Sequence, residues 1–429
     1  MRKQIIFSLL LLLLVSHFAA SQILNGRFST AFYTFEKYDN IGESKTYIRG
    51  LQTVQFDISQ KNLSFHTSLQ AATNFTLLSG EQKNLKFYNM YFQWKNIYDM
   101  IDLNIGRHSV FAGVGNGLID GGTLKLKLFE NRFTVTAYGG GNVNPNLEAK
   151  VTTRLKDNYL LGAQVISTIV PDMRIGLSYM SRHRERLSYI AARPDSLGLP
   201  IQRLIEVDSP SEQYAGADVS YYYKSIGRVY GRYEHDLNLS KISRAQFGAH
   251  IYLTNEISVT GDYIYRQPRI SYNSIFQVFN YSSNSEIEGG LEYSYNPMIR
   301  LFGKFASVNY SHTNTQRYTF GLNAEYGSLI YSGNSGYAGE LNSVSAQLMY
   351  PLFDNVLTPT IGISRSSYKM TKQSDRLDTF TGLFGATVRP SKSFSLDSQI
   401  QWMNNPVYKN DMRFLLKINY LFTERLNIL

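Results

Sequence analysis

The side chains best able to do chemistry are few and scattered. The chain has no cysteine, which removes thiolate nucleophiles, disulfides, cysteine-ligated zinc and iron–sulfur clusters. Its seven histidines form no metal-ligand spacing. His17 lies near the N-terminus, and His183 sits in Arg182-His183-Arg184-Glu185, at an expected strand end. His66 and His250 are candidates for pairing with a carboxylate from a distant strand. His235-Asp236, after Glu234, has the composition of an acid/base cluster, but a charged loop rim is the simpler reading. No Gly-x-Ser-x-Gly is present. The glycine-rich stretch at 113–122 is the most distinctive segment. It reads either as a constriction loop carrying Asn116 and Asp120 or as turns that need positive φ. Its one acid is too few for a calcium loop, and no Lys-Ser/Thr follows to make a phosphate loop. Tyr221-Tyr222-Tyr223 can stack sugars, but such a run fits an interface belt better.

The remaining chemistry is charge, and its spacing has period two. In residues 394–403, Phe394, Leu396, Ile400 and Trp402 alternate with Ser395, Asp397, Gln399 and Gln401. In 317–326, Tyr318, Phe320, Leu322 and Tyr326 alternate with Arg317, Thr319, Asn323 and Glu325. Segments 47–58, 286–295 and 412–422 behave likewise, and no amphipathic helix is evident. Period two is the signature of strands with one apolar and one polar face. Several segments run about 10–13 residues, longer than ordinary soluble strands and matched to a membrane-crossing strand. Short turn signals such as Gln60-Lys61-Asn62, Glu130-Asn131-Arg132, Asp354-Asn355 and Ser391-Lys392-Ser393 alternate with longer polar connections at 36–45, 79–84, 112–122, 184–213 and 368–378. That asymmetry predicts a transmembrane antiparallel β-barrel of about 18–22 strands with no separate plug domain. The uncertainty in number comes from the segments at 121–137 and 327–339.

Composition supports this class. Aromatics reach 14% with 32 Tyr and 25 Phe, while charged residues are only 18%. This is too aromatic and too charge-poor for a disordered chain. The net charge of +10 comes without a basic block, so no nucleic-acid partner is expected. Mean hydropathy of −0.24 is no objection, because alternating strands produce no long hydropathy peak. At the N-terminus, Arg2 and Lys3 precede an apolar run from Ile5 to Val15, and Ala19-Ala20-Ser21 offers a cleavage site before Gln22. Residues 1–21 are therefore expected to be a secretory signal peptide, and 22–429 a single barrel domain.

Facing assignments follow from the alternation. The expected pore-lining residues are Arg49, Asp57, Arg228, Arg232, Asp262, Arg266, Glu286, Glu288, Glu292, Arg300, Lys304, Arg317, Arg413 and Lys417. Singly, each is better explained as a cross-strand salt bridge than as a selectivity group. Together they describe a polar, water-filled interior.

Export signal, long alternating strands and a final strand with Tyr420 and Phe422 make the chain similar to porin-like bacterial outer-membrane β-barrel proteins. The resemblance is one of pattern, and the chain departs from it by continuing through 423–429 beyond Phe422. It implies passive diffusion of small hydrophilic solutes, without a cofactor and without catalysis. The partners are then outer-membrane lipid and the solutes, with mild anion preference from the positive balance. Self-association is left open. The rival functions are a structural or secretion-associated docking barrel, whose lumen would be occluded, and a barrel-embedded hydrolase, which needs a nucleophile and base close together at the outer rim.

Overall fold

The computed structural model describes residues 22–38, 44–75, 84–152, 154–184, 189–194, 199–205, 211–270, 283–310, 313–336, 340–369, 371, 373–406 and 410–426. The signal peptide expected over 1–21 lies outside them. The first strands are β1 (Gln22–Tyr38), β2 (Ser44–Gln60), β3 (Leu63–Asn74), β4 (Asn84–Ile97), β5 (Ile101–Ala112), β6 (Gly115–Leu128), β7 (Phe133–Asn142), β8 (Asn158–Ser167) and β9 (Met173–Arg184). A small hairpin of β10 (Tyr189–Pro194) and β11 (Pro200–Ile205) follows. Then come β12 (Glu212–Tyr223), β13 (Gly227–Asp236), β14 (Lys241–Tyr252), β15 (Ile257–Arg266), β16 (Asn284–Asn296), β17 (Ile299–Tyr310) and β18 (Thr313–Ala324). The series ends with β19 (Gly327–Ser335), β20 (Leu341–Met349), β21 (Leu357–Tyr368), β22 (Leu377–Ser391), β23 (Phe394–Asn404) and β24 (Asp411–Leu426).

All but β10 and β11 belong to one 22-stranded sheet in which each strand pairs with its neighbours in the chain, β9 meeting β12. The sheet closes because β1 pairs antiparallel with both β2 and β24, in the latter case from Gln22↔Leu426 to Tyr33↔Leu415. Closure leaves no unpaired edge, the condition for a sheet to cross a bilayer. The segments at 121–137 and 327–339 separate into β6 with β7 and into β19, which settles the strand number at 22. Residues 423–426 stay in the wall as the end of β24, paired with the start of β1.

An even strand number puts both ends of the barrel chain at one rim, together with the short turns. At that rim Lys61, Glu130, Asn131, Asp354 and Asn355 adopt left-handed φ of 48°, 57°, 68°, 54° and 67°. These are turn residues named from the sequence, and left-handed φ is what tight reversal of two strands requires. Outward faces carry exposed apolar side chains such as Phe28, Phe92, Phe247, Phe305, Phe320 and Phe384. On a membrane barrel these face lipid. Exposed outward aromatics lie near both rims: Trp94, Tyr221, Tyr223 and Tyr420 by the turns, and Phe380 with Trp402 at the other end. This places Tyr221 and Tyr223 in a belt, the position where an amphipathic ring suits a headgroup.

One expected connection is absent. Residues 112–122 are not a long loop: only Gly113 and Val114 separate β5 from β6. The long segment between β9 and β12 instead contains β10–β11, which among the described residues pairs only with itself.

Candidate functional site

The β5–β6 hairpin leaves the barrel wall. The β4–β5 ladder reaches only Met90↔Arg107, and the β6–β7 ladder only Ile119↔Asn142. Among the described residues, 109–112 and 115–118 pair only with each other. The departure begins at Gly106, whose φ of +125° is closed to a side-chain-bearing residue at reasonable cost. Beside it, a Cβ on Gly121 would collide with the backbone of Gly139 and Gly140, so three strands approach at glycine and bend together. Within the glycine-rich stretch this bend explains Gly121, while Gly113 turns the tip with φ of +63°.

The tip packs against the inner wall on the far side of β7. The Val114 N–H donates to Ser178 Oγ on β9 (3.0 Å), Arg182 donates to the Asn116 carbonyl (2.7 Å) and Arg232 to the Gly113 carbonyl (3.4 Å). Val110, Ala112, Val114 and Ile119 of the hairpin join Tyr138, Leu160, Met180 and Tyr214 of the wall in one buried apolar cluster. An apolar core thus forms inside what the sequence predicts as a wet lumen. Burying each large aliphatic side chain contributes roughly 1.5–3 kcal/mol.

The wall left open is refilled by the connection between β7 and β8. Arg107 makes a bidentate pair with Asp120 (2.7 and 2.9 Å), both side chains only 6% exposed. The same guanidinium donates to the carbonyls of Glu148 (2.6 Å), Lys150 (3.1 Å) and Phe87 (3.2 Å). Asp120 therefore rivets hairpin and connecting loop together and is not presented to the pore. This corrects its reading as a constriction-loop or cation-site residue. Asn116 is exposed on β6, a strand of the inward hairpin and not a loop.

A cavity of about 620 Å³ lies between the tip and the wall, lined by Phe111, Asn116, Arg174, Asp218, Arg228, Tyr230 and Arg232 among others. Phe111 is 78% exposed, a large apolar group offered to that space. Arg174 pairs with Asp218, Arg228 lies over the Tyr230 ring (5.4 Å), and the Tyr230 hydroxyl donates to Asp262. Arg232 pairs with Glu234 (2.5 Å), which also takes Arg269.

The other expected pore-lining charges fall on the same inward face by register. Arg317 bridges Glu286 and Glu288, the latter at 2.8 Å, and Lys304 reaches Glu288 (3.3 Å). Arg300 faces Glu292 at 3.7 Å, and Arg413 pairs with Asp411 (2.7 Å). Lys417 stands opposite Asp397. Arg266 stands opposite Arg244. Arg49 donates to Asn74 (2.7 Å) and Tyr33 (3.2 Å). Glu286, Glu288, Glu292, Arg300, Lys304 and Arg317 are thus joined in pairs across β16–β18.

Asp57 belongs to a different arrangement. Its Oδ1 lies 2.5 Å from His66 Nδ1, and His66 Nε2 lies 2.8 Å from Ser64 Oγ. Asp57 and His66 are directly opposed across β2–β3, and Ser64 is two residues before His66 on the same face. The His66 ring stacks on Tyr91 at 4.8 Å. His66 thus pairs with a carboxylate, but from the adjacent strand and not from a distant one. Other histidines separate from their candidate partners. His235 stacks on the outward Tyr233, while Asp236 faces inward and accepts from the N–H groups of Asn238 and Leu239. His250 packs against Tyr252.

Sequence reasoning missed Ser64, Arg107, Arg174 and Asp218. Ser-x-His on one strand face was the available signal for the first. The others depend on the hairpin's inward path, which alternation alone does not encode.

No family model matches the chain, and no curated protein does. Among solved structures it is similar to a BenF-like porin from Pseudomonas fluorescens Pf-5, with 11% identity and a TM-score of 0.44 over 94% of this chain and 99% of that one. It is also similar to Pseudomonas aeruginosa OccK5 (OpdH), with 11% identity and a TM-score of 0.43 over 94% and 98%. The P pilus usher (PapC) translocation pore gives 8% identity and a TM-score of 0.44 over 92% and 99%. Likenesses this distant carry no argument about solute or partner.

Proposed function

We propose that this barrel is a bacterial outer-membrane channel for passive diffusion of small hydrophilic solutes, with a preference for anions. The observation that carries the reading is the closed 22-strand wall, apolar outside and charged inside. Side chains fill a barrel of about eight strands, and far wider ones hold water unless plugged. The β5–β6 hairpin narrows that lumen from one side. Solutes then pass between the hairpin and the opposite wall, selected by size and by the charges there.

Anion preference is supported by the cavity beside the tip. Arg174, Arg228 and Arg232 line it against a single lining carboxylate, Asp218. Low-dielectric walls focus this excess onto the passage. Liposomes carrying the refolded mature chain, swollen in solutes of graded size, test the reading. Rapid entry of small sugars and small organic anions, with a cut-off as size rises, is the expected result. Liposomes that swell no faster than protein-free ones refute it.

A further inference from the structure

We propose that Ser64, His66 and Asp57 form a hydrolytic triad on the inner wall of the barrel, acting on small carboxylic esters that enter the lumen. The site is independent of whether solutes cross the membrane. A nucleophile, a base and a group that orients the base stand in series, at 2.8 Å from Ser64 Oγ to His66 Nε2 and 2.5 Å from His66 Nδ1 to Asp57 Oδ1. Both groups stand within the hydrogen-bond reach that nucleophilic catalysis requires, the His66–Asp57 contact being the shorter. Asp57, as a carboxylate, accepts the Nδ1 proton, which leaves Nε2 free to accept from the Ser64 hydroxyl. The tautomer needed by a general base is thus set by the cross-strand partner. Stacking on Tyr91, with rings inclined by 20°, holds the imidazole plane.

The framework is rigid, because all three residues lie on paired strands rather than loops. Ser64 and His66 are partly exposed to the lumen, so a solute can reach them. Gln93 stands directly opposite Ser64 on β4, donating Nε2 to Asn104 Oδ1 (2.9 Å). The amide's second hydrogen is then available to a developing oxyanion, a role side-chain amides can fill.

In the first step Ser64 Oγ bonds to the ester carbonyl carbon and its proton passes to His66 Nε2. The ester C–O bond breaks, and His66 returns that proton to the leaving alcohol. Water then adds to the acyl-serine, giving a proton to His66. The carbon–Oγ bond breaks, Oγ is reprotonated, and a carboxylic acid leaves.

The test uses the full mature chain refolded in detergent, a fluorescent fluorophosphonate and p-nitrophenyl acetate. The expected result is covalent labelling located at Ser64 and ester turnover. Both are lost in S64A by on the order of a hundredfold or more and reduced in D57N. S59A, which removes a hydroxyl directly opposite Ser64 in the β2–β3 register, leaves both unchanged. Heat-modifiable migration of each variant shows that the barrel has folded. Folded wild-type protein that takes no label at Ser64, or S64A protein that hydrolyses the ester as wild type does, overturns the proposal.

Discussion

Replacing Arg107 with methionine keeps the length of its apolar stem and removes every bond made by the guanidinium. Asp120 is then a carboxylate only 6% exposed with no cation beside it. Breaking a buried pair in this way costs about 3–5 kcal/mol. The carbonyls of Glu148, Lys150 and Phe87 lose their shared donor at the same time. Against this stands the apolar packing of Val110, Val114 and Ile119, worth together on the order of 5–9 kcal/mol. The hairpin of R107M should therefore stay inside the lumen most of the time. Excursions from it should become more frequent by about a hundredfold to a few thousandfold, at 1.4 kcal/mol per tenfold. Single-channel recording in a planar bilayer reads this as flicker to a larger conductance level. Adding Val114→Asp, which places an unpaired charge in the apolar cluster, should make the larger level dominant. Traces of R107M and of the double variant that match wild type, from protein shown to be folded, would refute the hairpin's role as the narrowing element.

Four further outcomes follow from the wall. Phe320→Lys places a charge on the lipid face, at a residue 56% exposed there, and should destabilise the barrel by about 2–4 kcal/mol in urea titration from vesicles. Ser345→Lys, whose register puts it on the inner face, should cost under about 1 kcal/mol in the same assay. Gly121→Val drives a side chain into the backbone of Gly139 and Gly140, so the refolded fraction on a heat-modifiability gel should fall severalfold. Arg228→Glu reverses a charge lining the cavity, and the reversal potential in a salt gradient should move toward cation selectivity.

Much of the wall was legible because a barrel repeats one local rule. Inside and outside alternate on every strand, so Arg300, Lys304, Arg317 and Glu288 reach the lumen from spacing alone. Turns such as Glu130-Asn131 were legible because few residues tolerate left-handed φ. The hairpin was not, since residues 101–112 and 115–128 have the same strand character whether they stay in the wall or bend into the lumen. What decides between these is long-range: Val114 against Ser178, Arg182 on the Asn116 carbonyl, and the carbonyls that Arg107 gathers. Glycines were read as a loop because turns are their commonest use. Here Gly113 does serve the turn at the tip, with φ of +63°, while Gly121 serves strand-to-strand closeness, which leaves the same sequence trace. The Ser64–His66–Asp57 arrangement was hidden for a related reason. Its third member comes from the facing strand, and its register becomes visible only once β2 and β3 are paired.

The central claim is an aqueous path through the barrel past the inward hairpin. The most direct measurement is single-channel conductance of refolded residues 22–429 in a planar bilayer under a salt gradient. Stable unitary steps, with a reversal potential of the sign set by anions, are the predicted result. Folded, heat-modifiable protein that inserts but gives no steps would contradict the claim.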